Sequence, residues 1–125
     1  MTRFALPLAA LVLLAAGCGG SDDEGRTATV PANGSVRVSA EEYSFDPSDI
    51  VVGGPGTLSV TLANDGSLAH NWKLFEGDRE LGGTPAFPSG QAKSTRVRLA
   101  SGRYAFICTV GDHAELGMKG TLTVD

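Results

Sequence analysis

Three electron-rich side chains lie close together near the end of this 125-residue chain. Cys108, His113 and Met118 fall within the segment YAFICTVGDHAELGMKG, residues 104–120, with the spacing Cys-x4-His-x4-Met. A loop of this length can fold a thiolate, an imidazole and a thioether around one metal ion. His70 is the only other histidine in the chain. Two imidazole nitrogens, a thiolate and a weak axial thioether make up a blue-copper electron-transfer site, so these residue types predict one mononuclear copper.

Zinc is the metal that must be weighed against copper. Structural zinc sites usually fill four positions with nitrogen or thiolate ligands, and a thioether contributes little to zinc. The methionine therefore favours copper. Taken singly, His70 is more simply explained as a surface or core histidine, and Met118 as a core residue. Because both residues belong to the full set of donors, we interpret them as metal ligands instead.

The number of histidines limits the chemistry that the chain can perform. Copper oxidases and nitrite reductases need further copper centres, and therefore more histidines. Hydrolase chemistry would lack a spare histidine base, so we expect no enzyme. We expect an electron carrier that cycles between Cu(II) and Cu(I). The alternative is an extracytoplasmic copper storage or delivery protein with the same ligands, whereas a metal-free adhesion sandwich would leave the Cys, His and Met pattern unexplained.

Alternating apolar residues predict the strands that must position these side chains. The segments TLSVTLAN, KSTRVRL and KGTLTV place every second side chain on one face, and Gly, Pro, Asn and Asp separate such segments. The pattern predicts an all-β, Greek-key β-sandwich of about 7–8 strands over residues 35–125. Residues 76–92 are the least regular, and we expect a long loop there with at most one turn of helix. Trp72 is interpreted as a core residue.

The N-terminus resembles the leader of a bacterial lipoprotein. Residues 1–17 start with a positive charge, continue as an apolar run too short to span a bilayer comfortably, and lead into LAAGCGG. We expect residues 1–17 to be a signal peptide, Cys18 to carry lipid after cleavage, and residues 18–34 to be a flexible tether. The protein would then lie in the cell envelope, outside the cytoplasm and anchored to the membrane. An ordinary cleaved signal would instead leave Cys18 as a free thiol or a disulfide partner.

Charge and cysteine content narrow the range of partners. The chain has 10 Lys+Arg against 14 Asp+Glu, a net charge of −4. Removal of residues 1–17 takes away only Arg3, which leaves 9 basic residues and a net charge of −5. An acidic protein without a basic stripe is a poor nucleic-acid binder, so no nucleic acid is expected. Apart from Cys18, Cys108 is the only cysteine, and a lone thiol outside the cytoplasm is prone to oxidation unless it is buried or bound to a metal.

Two segments resemble the cupredoxins, the plastocyanin and azurin group of small blue copper proteins. AHNWKL contains an early His followed by Asn, and GRYAFICTVGDHAELGMKGTLTV contains the late Cys, His and Met in that family's order. The resemblance covers residues 36–124 and implies the cupredoxin fold. The copper ligands that it implies are His70, Cys108 and His113 in a roughly trigonal plane, with Met118 as the long axial ligand.

The same resemblance implies roles for other residues. The Asn71 side chain would tie its strand to the ligand loop near Thr109, and hydrogen bonds of this kind orient ligands and tune the metal. Tyr104 would form the family's tyrosine corner. Redox partner proteins would dock transiently near His113, and we expect the protein to be a monomer. The small apolar surface expected around that histidine consists of Leu68, Ala69, Ala114 and Leu116.

One pair of residues departs from the family pattern. Many cupredoxins have Pro-Gly immediately before the loop histidine, whereas this chain has Gly111 and Asp112. The missing proline restores a backbone N–H, which could donate to the Cys108 sulfur and shift the reduction potential. Asp112 could be forced to a positive φ, a conformation that residues other than glycine adopt with strain.

Overall fold

A computed structural model describes residues 25–125 of the chain. These residues form ten β-strands and no helix, so the described part contains no helix that could cross a membrane. In chain order the strands are β1 Thr27–Val30, β2 Ser35–Glu41, β3 Ser44–Asp46, β4 Asp49–Val52, β5 Gly56–Asn64, β6 Lys73–Glu76, β7 Arg79–Gly83, β8 Ala92–Leu99, β9 Gly102–Ile107 and β10 Lys119–Val124.

The strands form two mixed sheets that enclose one apolar core. One sheet has six strands in the order β1-β4-β10-β9-β6-β7, and the other has four in the order β3-β2-β5-β8. The pairs β1–β4, β4–β10 and β2–β5 are parallel, and the remaining pairs are antiparallel. The predicted all-β sandwich is confirmed.

Aromatic side chains fill the centre of the core. The Trp72 and Phe106 ring centroids lie 5.4 Å apart, and those of Phe45 and Phe106 lie 5.5 Å apart. Trp72 is fully buried, as predicted. The same apolar cluster contains Cys108 and Met118. Since burying one large apolar side chain contributes about 1.5–3 kcal/mol, this packing stabilises the sandwich where it meets two of the candidate ligands.

The predicted tether over residues 18–34 is wrong for the part that forms β1. This strand pairs in parallel with β4, residue by residue over its whole length. Its last residue, Val30, is buried in the core, so the pairing is reinforced by apolar contact. The predicted signal peptide and Cys18 lie outside the described residues, and the lipid anchor stays a prediction.

The segment 76–92 contains a strand where the sequence indicated a loop with at most a helical turn. β7 pairs with β6 in an antiparallel hairpin, and Gly77 at the turn has a φ of 56°. Residues of β7 are exposed or half-buried, as expected for a strand at the edge of a sheet. Because an edge strand need not bury an apolar face, its sequence lacks the alternation from which strands are predicted.

The register of β9 brings the candidate ligands to one end of the sandwich. β9 ends at Ile107, which is paired with the first residue of β6 and with the first residue of β10. Residues 108–118 therefore leave β9 and return to β10 at this end, and the segment that contains His70 leads into β6 here. Near the other end of β9, the Tyr104 hydroxyl donates to the carbonyl of Ala100 at 2.7 Å, which forms the expected tyrosine corner.

Candidate metal centre

The loop between β9 and β10 is held by its own backbone hydrogen bonds. The N–H of Cys108 donates to the carbonyl of Met118, and the N–H of Met118 donates to the carbonyl of His113, both at 3.1 Å. Gly111 and Gly117 have φ values of 48° and 112°, in the region that favours glycine. These bonds and turns fix the positions of the three donor residues of the loop relative to one another.

Three donor atoms converge in the interior at this end. The Nδ1 atom of His113 lies 3.6 Å from the Sγ atom of Cys108, and Nδ1 of His70 lies 3.9 Å from the same sulfur. All three atoms lie within 4.8 Å of one another. His and Cys ligands bind a metal at about 2.0–2.3 Å, so two ligands of one ion lie about 3–4 Å apart. The observed spacing therefore accommodates a single metal ion.

The nature and burial of the donors fit copper. His70, Cys108 and Met118 are fully buried, whereas His113 remains 7% exposed. Within residues 25–125 the converging donor atoms include no carboxylate. Imidazole and thiolate suit both copper and zinc, but the buried thioether of Met118 favours copper, because a thioether contributes little to zinc and completes the donor set of a blue-copper site.

Two hydrogen bonds join the residue after His70 to the residue after Cys108. The Asn71 side-chain nitrogen donates to the Thr109 hydroxyl at 2.7 Å, and the Thr109 backbone N–H donates to the Asn71 side-chain oxygen at 2.8 Å. The structure thus brings together the pair that the sequence analysis associated. Because Asn71 is buried, this link fixes the upstream segment against the ligand loop.

The carboxylate of Glu42 contacts His70, and the sequence did not indicate this contact. Glu42 follows β2, and its Oε1 atom lies 3.0 Å from Nε2 of His70. The same oxygen accepts hydrogen bonds from the backbone N–H of Ser67 at 2.8 Å and of Leu68 at 2.6 Å. When Nε2 donates to the carboxylate, the Nδ1 atom of the neutral ring keeps its lone pair for a metal. No local pattern indicates this contact, since 28 positions separate the two residues.

The hydrogen bonds keep this carboxylate ionised. The backbone N–H of Leu68, then that of Ser67 and the His70 ring, lower the pKa of Glu42 from 4.5 to about 2. A carboxylate that accepts several hydrogen bonds is stabilised in its charged form. Glu42 therefore carries its negative charge next to His70 throughout the ordinary range of pH.

Tyr43 is a second contact that the sequence analysis missed. Its ring centroid lies 5.0 Å from that of His113, with the planes inclined at 58°. Successive residues between β2 and β3 thus contact the two histidines separately, Glu42 at His70 and Tyr43 at His113. The turn between these strands forms one wall of the site.

Apolar side chains are exposed at the surface near the site. Tyr43, Leu68 and Leu116 are the large apolar residues exposed within residues 25–125, at 36%, 45% and 51%. Of the two alanines expected to join them, Ala69 is exposed and Ala114 is half-buried. We call Tyr43, Leu68, Ala69, Ala114 and Leu116 the apolar patch.

The backbone expectations for Gly111 and Asp112 are wrong. The positive φ lies at Gly111, and the only non-glycine residue with positive φ in the described part is Asn33. Glycine at position 111 thus supplies the left-handed conformation, and Asp112 is free of this strain. The polar neighbours of the Cys108 sulfur within residues 25–125 are the two histidine nitrogens, and the Gly111 N–H forms no hydrogen bond with it.

Known proteins share this fold and part of this sequence. A family model described as copper binding proteins, plastocyanin/azurin family, matches residues 32–125. A dithionite-reduced auracyanin from Roseiflexus castenholzii has a TM-score of 0.66 and 19% identity, covering 73% of this chain and 96% of that one. Auracyanin A from Chloroflexus aurantiacus, described as a "blue" copper protein, has a TM-score of 0.65 and 21% identity, covering 76% and 99%. Rusticyanin from Thiobacillus ferrooxidans has a TM-score of 0.59 and 22% identity, covering 82% and 87%. No curated protein sequence matches the chain significantly.

The link between Asn71 and Thr109 gives a prediction about stability. Asn71→Ala removes both hydrogen bonds, and we expect it to lower the free energy of unfolding of the copper-free protein by about 1–3 kcal/mol. Urea denaturation measures the change. Thr109→Ser keeps the hydroxyl and the backbone N–H and serves as the matched control, with a much smaller loss. An Asn71→Ala protein as stable as the wild type would show that this link does not hold the site together.

Proposed function

Since the chain belongs to the plastocyanin/azurin family of copper-binding proteins, we propose that it is a one-electron carrier with a single blue copper site. The observation that carries the proposal is the convergence of His70 Nδ1, His113 Nδ1 and Cys108 Sγ within 4.8 Å. These atoms would hold the copper together with the thioether of Met118. When bound, copper supplies a one-electron change between Cu(II) and Cu(I), in which a donor protein loses the electron that an acceptor protein later gains.

The protein's contribution is to hold the donor atoms in place before and after the electron moves. The Asn71–Thr109 link and the backbone bonds of the loop fix the two segments that carry the ligands. Side chains that are locked by such contacts need little rearrangement. A rigid donor set suits a carrier, because every ligand that had to move would slow the exchange of the electron.

Burial of the donors favours a carrier over copper storage or delivery. His70, Cys108 and Met118 are fully buried, so an acceptor protein could not reach three of the four donors without opening the loop. A carrier should keep its copper through many redox cycles. A delivery protein should transfer Cu(I) to a copper-free acceptor, and this transfer is the observation that would favour the alternative.

Electrons would enter and leave through His113. It is the donor residue with a remaining exposed fraction, 7%, and its ring packs against the exposed Tyr43. The apolar patch offers a small surface on which a redox partner could dock. Weak and rapidly released complexes typically bury less than about 1,200 Å² in total, so a small docking surface suits such a carrier. We propose that the protein works as a monomer that docks transiently.

We propose that the leader and Cys18 direct this carrier to a membrane. A lipid on Cys18 would anchor the protein to the cell envelope outside the cytoplasm, with residues 1–17 removed as a signal peptide. Cys108 would then have no disulfide partner within the chain, and its burial protects the thiol from oxidation. Burial and metal binding together account for a lone thiol in an oxidising compartment.

The copper site gives a spectroscopic prediction. Addition of Cu(II) to the purified protein should produce intense visible absorption, because charge transfer from the Cys108 thiolate to copper is strong in such a site. Cys108→Ser should abolish the colour, and Cys18→Ser, the matched control, should retain it. EPR spectra should report one copper per chain in the wild type. A colourless Cu(II) complex of the wild type would contradict the proposal.

The apolar patch gives a kinetic prediction. Leu116→Glu places a charge on the patch, and two acidic copies that approach through it would repel each other. We expect electron self-exchange between oxidised and reduced protein, measured from NMR line widths, to slow roughly tenfold, which corresponds to about 1.4 kcal/mol. Ala100 is exposed near the other end of β9, so Ala100→Glu is the control and should have little effect on the self-exchange rate. Equal slowing by both variants would argue against docking through the patch.

The anchor gives a prediction about cellular location. Cys18→Ser should move the protein from the membrane fraction to a soluble fraction, and mass spectrometry should detect lipid on Cys18 of the wild type. Cys108→Ser is the control, because it should lose copper and stay with the membrane. Recovery of the Cys18→Ser protein in the membrane fraction would rule out lipid on this residue as the anchor.

A further inference from the structure

Both residues of the contact between Glu42 and His70 are held in place by their surroundings. The carboxylate oxygen that faces Nε2 of His70 is already held by the backbone N–H groups of Ser67 and Leu68. Its position therefore does not depend on the histidine. The His70 ring is fully buried, so Nε2 has no access to water that could replace the carboxylate. An imidazole in this place is oriented by Glu42.

The turn between β5 and His70, whose N–H groups bind Glu42, is itself fixed by a buried amide. Asn64, at the end of β5, is 1% exposed, and its side-chain oxygen accepts from the N–H of Gly66 at 3.1 Å. Its side-chain nitrogen donates to the carbonyl groups of Leu68 and Phe87, both at 2.9 Å. The amide thus braces the turn between β5 and His70, so the two N–H groups that bind Glu42 have a defined direction.

Gly66 leaves the space that the contact requires. A Cβ atom at this position would lie 2.7 and 2.8 Å from the two carboxylate oxygens of Glu42 and 2.9 Å from Nε2 of His70. Each distance is too short for an unbonded carbon. Any larger residue at position 66 would displace the carboxylate or the ring, so the absence of a side chain permits the pairing.

We infer that Glu42 is a positioning residue that fixes the tautomer of His70 and, through its negative charge, lowers the reduction potential of the copper site. The inference rests on the proposed function. A carboxylate that accepts the outer N–H of a metal-bound histidine sets the ring orientation and raises the basicity of the ligand. A fixed negative charge near the centre favours Cu(II) over Cu(I), because the oxidised ion carries one more positive charge. A turn that needed only an acceptor for two N–H groups would be served equally well by an uncharged amide.

The inference is tested with a substitution that removes the charge and keeps the acceptor. Glu42→Gln retains an oxygen for Ser67, Leu68 and His70, so a purely structural role would be unaffected. We expect its copper form to have a higher reduction potential than the wild type, measured by redox titration. Asp65→Asn is the matched control. Asp65 lies on the turn after β5 that donates two N–H groups to Glu42. Its carboxylate accepts from the Ser39 hydroxyl at 2.6 Å and does not bind a histidine, so its shift should be clearly smaller.

A measurement without copper tests the positioning role separately. Nitrogen-15 NMR of the copper-free protein, at mildly alkaline pH where imidazole is neutral, should show the His70 proton on Nε2. Glu42→Ala and Gly66→Ala should give a mixture of tautomers, because one removes the carboxylate and the other displaces it. A wild-type proton on Nδ1, or a Glu42→Gln potential no higher than that of Asp65→Asn, would overturn the inference. Failure to form a coloured copper complex would refute the proposed function, while the NMR result would still decide whether Glu42 fixes His70.

Discussion

The site depends on the register with which β9 pairs with its two neighbours. Ile107, the last residue of β9, is opposite the first residue of both β6 and β10. This register makes the segment before β6 and the loop before β10 meet at one end of the sandwich. The period of a strand is two residues, so a slip of one position would turn Cys108 away from the core and from His70. Tight packing of Trp72 against Phe106 holds the register from within.

The two histidines have different surroundings, which suit different tasks. His70 is fully buried and bound at its outer nitrogen by an ionised carboxylate. Within residues 25–125 no carboxylate hydrogen-bonds to His113, which packs on Tyr43 and reaches the surface. In an electron carrier one ligand can therefore set the electrostatic environment while the other provides the route to a partner. A single turn between β2 and β3 contributes to both environments, with Glu42 at His70 and Tyr43 at His113.

The glycines around the site show how a small domain builds a metal centre with few residues. Gly111 supplies the left-handed turn in the ligand loop, and Gly66 lets a carboxylate approach a buried imidazole. Asp112 follows Gly111 without this strain, because the positive φ lies at the glycine. With Gly111 and Asp112 in place of Pro-Gly, the donor atoms of His70, Cys108 and His113 still converge.

The sequence by itself determined the strand faces, the four donor types and the family, because period-two burial and residue chemistry are local properties. It also indicated the Asn71–Thr109 link through its resemblance to a known family. Only the tertiary structure decided that Glu42 binds His70 and that Tyr43 packs on His113, since both contacts join segments far apart in the chain. The same holds for β1 and β7, whose short sequences form strands because neighbouring strands offer them backbone hydrogen bonds.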